Sequence, residues 1–405
     1  MNYFLSKFLG LIWMILRKSS SLFRNNYPFF LENVKLSNSS TLDGSSKKAL
    51  MLFKTQPVIF NIISKFYKHT NDWEIIELIK ILNKSGYNVD IVDRDYKTFV
   101  PKKKYEIFIG IGAGNSGSAY YSIASKLKKC KRVILCLGPD PELSKIKVIN
   151  RYDFFNERNN TNSPTMRVPD KVDINKFMSV SDIIWAIGEN GTFGHDSYKK
   201  YGLPLESYIP SVSPKIIFNE KYLQSRNKKK FLCFAGNGFI CKGVDVLIEA
   251  FLQTPDLNLS ICGPNTEKAF FETYEKDLNL ENNITYHGFI YPGSKKFENL
   301  VKDHSYVVFS SAAEGLATSV LSCMKAGLLP IINYETGIMH NEFGYELKHN
   351  NNEDIIPEII KKCKIASLKP KIEYDNEVKI MIKKIKKYSQ EGFSKNIENL
   401  VNQLK

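Results

Sequence analysis

Short apolar runs alternate with longer segments whose apolar residues recur every three or four positions, and from residue 47 onward this alternation is nearly unbroken. Lys48–Phe53 is the first run and predicts a buried strand. Asn71 to Lys84 follows, with apolar residues at 73, 75, 76, 78, 79, 81 and 82, the stripe of a helix. Asn71 and Glu74 stand at the spacing of an N-cap and its N3 partner. Gly86 ends the helix and Tyr87–Val92 is the next strand. Tyr105–Ile111, Arg132–Leu137 and Asp182–Ile187 are each short, apolar and followed by Gly. Such alternation predicts a parallel sheet covered by helices on both faces.

Pro210-Ser-Val-Ser-Pro214 closes this series, and Arg226-Asn-Lys-Lys-Lys230 leads into a second. Its expected strands are Phe231–Phe234, Leu257–Cys262, Ile284–His287, Ser305–Ser310 and Leu328–Ile332. Its expected helices are Val244–Leu252, Thr266–Leu278, Lys295–Asp303 and Leu316–Ala326. The carboxyl segment carries two helical stripes, one through Val378, Met381, Ile382 and Ile385, the other through Phe393, Ile397, Leu400, Val401 and Leu404. The fold class is therefore α/β, with two doubly wound Rossmann-like domains in succession. Ligands of such sheets bind at the carboxyl ends of the strands, so the cleft between the two domains is the natural site.

The first 46 residues differ. Phe8–Leu16 is strongly apolar, with Lys7 before it and Arg17 and Lys18 after it. It is shorter than the about 20 residues a bilayer span requires, and it lacks a secretory cleavage site. An interfacial helix and a helix docked on the protein's own core both fit it. Ser19 to Ser46 reads as a polar, poorly structured connector.

Charge widens the choice of partner before it narrows it. The 405 residues hold 57 Lys and Arg against 42 Asp and Glu, a formal charge of +15. Nucleic acid, an anionic membrane surface and acidic small substrates all suit that sign, as does a simple compositional bias toward Lys. The lysines are dispersed, and neither an Arg-rich arm nor zinc-finger spacing occurs, so no nucleic-acid partner is expected. The seven cysteines are scattered, mostly within apolar segments, as reduced core thiols of a cytoplasmic protein would be.

Two segments carry candidate chemistry. In Phe234-Ala-Gly-Asn-Gly-Phe-Ile-Cys-Lys-Gly243 a strand enters a Gly-containing loop and a helix follows Lys242-Gly243. Gly236 and Gly238 permit close backbone approach, and Lys242 with a helix N-terminus favours a phosphate. A plain tight turn is the competing reading. In Val307 to Leu321 a strand delivers Glu314 to the sheet edge, Gly315 allows an unusual turn, and Thr318 and Ser319 can cap a helix. Glu314 beside free helix amides suits sugar hydroxyls next to a diphosphate; a mere helix-capping role fits it as well.

Taken in order, the Gly loop, Lys242-Gly243, Ile261-Cys-Gly263, His287-Gly-Phe289, Phe309-Ser-Ser311, Glu314-Gly315 and Met324-Lys-Ala-Gly327 resemble the donor domain of the retaining family 4 glycosyltransferases of GT-B fold, across residues 231 to 338. More loosely, His69-Thr-Asn-Asp-Trp-Glu74, Gly86-Tyr-Asn-Val-Asp90 and Gly188-Glu-Asn190 resemble the acceptor domain of a polysaccharide-cluster branch. The resemblance implies four parts: residues 1–46, an N-terminal helix and linker; 47–215, the acceptor side; 216–385, the donor domain; and 386–405, a helix packing back on the first domain. It implies that Lys242 contacts the donor diphosphate and Glu314 holds hydroxyls of the transferred sugar. Gly236, Asn237 and Gly238 then border the phosphates, Gly263 ends the next strand, and Gly288, Phe289 and Ile290 border the base. Gly315 and Leu316 lead to a helix start at Ala317, Thr318, Ser319 and Val320, whose amides bind phosphate. On the acceptor side stand His69, Asn71, Asp140 and Asn190, with weaker claims for His195 and His287.

Three departures stand out. Asn237 occupies the place of a family Arg, Ser322 that of a family Glu on the ribose, and Lys54-Thr-Gln-Pro57 that of a Gly-Gly turn. The implied reaction is sugar transfer from a nucleotide diphosphate sugar to a hydroxyl of a saccharide or lipid-linked saccharide, in cell-surface polysaccharide or glycolipid synthesis. Neither a metal nor another cofactor is expected, because Lys242 and helix amides suit the charge that builds on the leaving diphosphate. An inactive GT-B partner or scaffold is the alternative; a related phosphorylase or epimerase is a third reading. The basic carboxyl helices, with Lys379, Lys383, Lys384, Lys386 and Lys387, add a possible contact with the inner face of a membrane.

Overall fold

The computed structural model describes residues 30–36, 47–59, 70–112, 117–168, 173–279, 283–340, 342–349 and 353–404. The expected helix at Phe8–Leu16 lies outside them, as does His69.

Two sheets succeed one another along the chain. The first contains β1 (Phe30–Val34), β2 (Lys47–Phe53), β3 (Tyr87–Asp93), β4 (Ile107–Ile111), β5 (Lys131–Cys136), β6 (Ile183–Ile187) and β7 (Leu205–Tyr208), in spatial order β1-β3-β2-β4-β5-β6-β7. The edge pair β1–β3 is antiparallel and the others are parallel. The second contains β8 (Asn227–Phe234), β9 (Asn258–Cys262), β10 (Ile284–Tyr286), β11 (His304–Phe309), β12 (Leu329–Asn333) and β13 (Tyr345–Leu347), all parallel, in order β10-β9-β8-β11-β12-β13.

The helices that flank the cleft or brace the two sheets are α1 (Thr70–Lys84), α2 (Pro141–Asn159), α3 (Phe193–Asp196), α4 (Val244–Leu252), α5 (Thr318–Lys325), α6 (Ile355–Leu368), α7 (Lys371–Lys384) and α8 (Gln390–Asn402). One apolar core of the first domain joins α1 and α8 to the sheet. Phe393, Ile397, Leu400 and Val401 of α8 are buried with Ile75, Ile79 and Leu82 of α1. Asn396 ties the same helix to the edge strand, accepting from Ile209 N at 3.0 Å and donating to Ser207 O at 3.0 Å. The carboxyl helix thus returns to the first domain.

Three expectations change. Residues 30–34 form β1 rather than part of an unstructured connector. This edge strand is held by polar side chains of the neighbouring βαβ unit: Asn33 N donates to Asp90 Oδ1 and Leu36 N to Asn83 Oδ1, both at 2.8 Å. Helix α1 begins at Thr70, which puts Asn71 inside the first turn, and Glu74 does not reach back to it. Instead Glu74 is buried and accepts from Ser211 N at 2.6 Å and Ser211 Oγ at 2.9 Å. The expected helix over Thr266–Leu278 is two short ones, Lys268–Thr273 and Glu275–Asn279. They part at Tyr274, whose hydroxyl is drawn to Glu249 Oε1 at 2.6 Å.

Helix α2 is the least expected element. It follows β5 and so belongs to the first domain by connectivity, yet Val148, Tyr152, Phe154 and Phe155 lie in the core of the second. Its start is conventional: Asp140 is the N-cap, accepting from Leu143 N at 3.0 Å, and Pro141 fills N1. Its polar side chains also cross the cleft. Arg151, fully buried, donates to Ser310 O at 3.1 Å, and Arg158 donates to Asp245 at 2.5 Å. Lys147 donates to Glu335 at 2.5 Å.

Candidate functional site

In the second sheet the strand order reverses between β8 and β11, and in open α/β sheets ligands bind at such a switch point. Both chemical segments of the sequence end there. Beyond β8 the chain turns through Gly236, Asn237 and Gly238 to Lys242; beyond β11 it reaches Glu314 and the start of α5. Between them lies a cavity of about 550 Å³, walled by Gly236, Asn237, Gly238 and Lys242 on one side and by Glu314, Leu316, Ala317, Thr318 and Ser319 on the other. A wider depression of about 660 Å³ on the same domain shares only Thr266 with it and contains neither charged residue of the pair.

Lys242 and Glu314 form an ion pair across the cavity floor. Lys242 is only 6 % exposed, and its Nζ also sits 5.7 Å above the Phe309 ring. Backbone bonds fix the Glu314 turn: Glu314 N donates to Glu335 O at 2.8 Å and Ala317 N to Thr336 O at 3.0 Å. Helix α5 then begins with Ala317 as its N-cap and no side-chain cap, which corrects the capping expected of Thr318 and Ser319. The first amides of a helix lack intrahelical acceptors, so an uncapped start is suited to an anion.

Glycines at the site serve different needs. Gly238 (φ +84°) and Gly243 (φ +72°) occupy the left-handed region, and a Cβ on Gly243 would come within 2.1 Å of Ser310 O. Gly315 has no positive φ, contrary to the unusual turn expected of it. It is instead where the domains touch: a Cβ there would meet Ile187 Cγ2 at 2.5 Å and Gly138 Cα at 2.9 Å, both in the first domain. Gly194 of α3 closes on the Gly315 carbonyl from another side.

Other expected positions fall away from the cavity wall. Gly263 and Gly288 are tied to each other, Gly263 N donating to Gly288 O at 3.0 Å, at the ends of β9 and β10. Phe289, 54 % exposed, stacks edge-on with Tyr291, while Ile290 is buried. Val320 is buried in the core, and Ser322 Oγ is committed to Thr318 O at 2.8 Å, so this hydroxyl is turned along its own helix. Asp140 is fully buried as the α2 N-cap and also accepts from Lys200 Nζ at 3.1 Å, away from the cavity wall. Asn71 is half-buried in α1, and Asn190 is exposed beyond β6. His195 is buried against Asp196, and His287 contacts Ser260 Oγ at 3.1 Å.

At the unusual first turn, Thr55 donates from both N and Oγ1 to Asp93 Oδ2. Asp93 opens an Asp-X-Asp triplet with Asp95 that the metal-free expectation passed over; it is fully buried, and its other oxygen accepts from Asp95 N at 3.1 Å. Among the described residues no group of three or more His, Cys, Asp or Glu is placed to hold a metal. The seven cysteines are buried and unbonded to one another, and burial pushes the Cys130, Cys136 and Cys262 thiols up to about 12. Sequence reasoning missed α2 with Lys147, Arg151 and Tyr152, and it missed Arg167, which lines the cavity. Asp140-Pro141-Glu142 was a readable start signal for that helix; nothing local signals Arg167.

The comparisons agree with this architecture. Residues 216–370 match the family model described as glycosyl transferases group 1, so the domain that holds the cavity is a group 1 glycosyl transferase domain. The whole chain has the two-domain GT-B fold of solved glycosyltransferases. It is similar to a sucrose-phosphate synthase from Thermosynechococcus elongatus, with 11 % identity and a TM-score of 0.57 over 89 % of this chain and 99 % of that one. It is similar to HepE from Anabaena, solved with UDP and glucose, with 13 % identity and a TM-score of 0.53 over 88 % and 100 %. WaaG, a glycosyltransferase involved in lipopolysaccharide biosynthesis, gives 12 % identity and a TM-score of 0.50 over 87 % and 99 %. No curated protein matches the chain in sequence at a significant level.

Proposed function

We propose that this protein transfers a sugar from a nucleoside diphosphate sugar to a hydroxyl of a saccharide or lipid-linked saccharide, with retention at the anomeric carbon, in the synthesis of a surface polysaccharide or glycolipid. The observation that carries the reading is the Lys242–Glu314 pair at the switch point, beside the uncapped start of α5. A nucleoside diphosphate sugar presents phosphates for the cation and amides, and hydroxyls for the carboxylate.

In this reading Lys242 and the amides of Thr318, Ser319 and Val320 meet the diphosphate. Their dipoles are fixed before reaction, which is where charge stabilisation on a leaving group is most effective. Glu314 orients the sugar through its hydroxyls. No metal is assigned a role. The acceptor approaches from the first domain across Gly188 and Gly194, which crowd the Glu314–Gly315 turn.

Peripheral attachment to an anionic membrane from the cytoplasmic side belongs to the same proposal and rests on Phe8–Leu16. The carboxyl helices support it less, because Lys379, Lys384 and Lys387 are paired with Glu220, Glu342 and Glu189. Among the described residues no helix is long and apolar enough to cross a membrane. Deleting residues 1–20 should abolish flotation with anionic liposomes; unchanged flotation removes that part.

The donor reading is tested by thermal shift against UDP-, GDP- and ADP-sugars. A binding donor at 100 times its Kd stabilises the protein by about 2.7 kcal/mol. Failure of every donor to shift the melting temperature, with sugar transfer unaffected by Glu314→Ala, would end the proposal.

A further inference from the structure

The charge at the cavity floor does not suffice for a diphosphate. Lys242 and Glu314 neutralise each other, so the pair presents no net positive charge to an anion. The same cavity is lined by one more cation, Arg167, which enters from the chain beyond α2.

Arg167 is placed with some exactness for an exposed side chain. Its Nη1 donates to Asn237 O at 2.7 Å. Its aliphatic stem lies on Gly238, where a Cβ would come within 2.7 Å of Arg167 Cδ. Its own backbone sits at φ +60°, a region that costs a side-chain-bearing residue free energy and persists where the surroundings impose it. The surroundings here are α2 and its return. Asn156 accepts from Ser163 N at 2.8 Å and donates to Ser163 O at 3.2 Å, folding the chain back toward the cavity. Tyr152 donates to Glu267, whose other oxygen accepts from Ile240 N at 3.1 Å in the phosphate-side loop.

No carboxylate competes for Arg167: among the described residues it has no ion pair. The acidic groups near α2 are committed elsewhere, Glu267 to Tyr152 and Ile240, Asp245 and Glu249 to Arg158. One guanidinium N–H is spent on the Asn237 carbonyl, and four of the roughly five it carries remain. Their planar fork matches phosphate oxygens better than an ammonium does.

We propose that Arg167, carried by the first domain, binds the diphosphate of the donor together with Lys242 and supplies the net positive charge that the Lys242–Glu314 pair lacks. The inference rests on the donor reading above. The phosphate grip is then shared between the domains, and α2, anchored on the second domain by Arg151 and Arg158, keeps the first domain's cation in register with the second domain's loop.

Calorimetry with UDP, GDP and ADP tests this on the full chain, using wild type and the Arg167→Ala, Arg167→Gln and Arg167→Lys variants. The side chain is exposed, so the melting temperatures without nucleotide should agree. For the diphosphate that wild type binds tightest, Ala and Gln should each raise Kd by about 10- to 100-fold, the range of a charge-assisted hydrogen bond, and Lys should fall between them and wild type. Binding of that diphosphate within about twofold of wild type by Arg167→Ala overturns the inference and leaves the donor reading standing. Equal losses in Gln and Lys also overturn it, because charge would then be irrelevant. If wild type binds none of the three diphosphates, both readings fall together.

Discussion

Glu74 should make this protein less stable in mild alkali than in mild acid. The residue sits in α1, 4 % exposed, and its carboxyl lies against Ser211 at the connector between the domains and Tyr208 of β7. Burial pushes its pKa up from 4.5 to about 7, an effect that the hydrogen bonds from Ser211 and Tyr208 only partly offset. The native state therefore holds a proton that the unfolded chain releases between those values. The associated stability is full below about 4.5 and is lost as pH rises through 7. At about 1.4 kcal/mol per pKa unit, the loss between pH 5 and pH 8 is about 2–3 kcal/mol. With an unfolding entropy of about 2.1 cal/mol/K per residue, cooperative melting of the whole chain converts this to roughly 3 °C. Glu74→Gln keeps the shape and an acceptor for Ser211 while removing the titration. Scanning calorimetry at pH 5, 6, 7 and 8 should show the melting temperature of the variant gaining about 3 °C on wild type across the series. A difference that stays flat over this range would refute the assignment of a buried, proton-holding carboxyl.

Glu314→Ala should lower sugar transfer by about 100-fold or more. It should nonetheless tighten binding of the sugar-free diphosphate, because Lys242 loses the carboxylate that neutralises it; calorimetry showing weaker diphosphate binding would contradict the pairing argument. Gly315→Ala puts a Cβ 2.5 Å from Ile187 Cγ2 across the domain contact, so it should cost about 1–3 kcal/mol in denaturant unfolding. Gly236→Ala meets nothing closer than Lys242 Cε at 3.9 Å and should leave stability unchanged in the same assay. Phe393→Ala empties the space between Trp73 and Tyr208 and should cost about 3–5 kcal/mol, read as a lower midpoint in urea.

The line between what the sequence revealed and what it hid tracks the range of the interactions. Strands β2 to β6, β8, β11 and β12 were readable because a strand buried on both faces needs an uninterrupted apolar run, and that requirement is local; β9 and β10, only partly buried, were readable from their place in the strand–helix alternation. The placement of Lys242 and Glu314 at one edge was also readable, since every strand–loop–helix unit of one parallel sheet brings its loop to the same edge, and β8 and β11 prove to be neighbours there. β1 was not, because its hold on the sheet comes from Asp90 and Asn83, more than forty positions downstream, rather than from its own residues. Gly315 was assigned the wrong reason for the same cause: its crowding comes from Ile187 and Gly138 of the other domain, and a sequence position does not announce what will be packed against it. Helix α2 goes furthest in this direction. Its Arg151 and Arg158 look like solvated charges on a surface helix, and they become anchors only because Ser310 and Asp245 meet them from the other domain, 159 and 87 positions further along the chain. The consequence reaches the chemistry. The cavity read from the second domain alone contains a neutral ion pair, and the further cation among its described lining residues, Arg167, comes with the first-domain segment that α2 carries across the cleft.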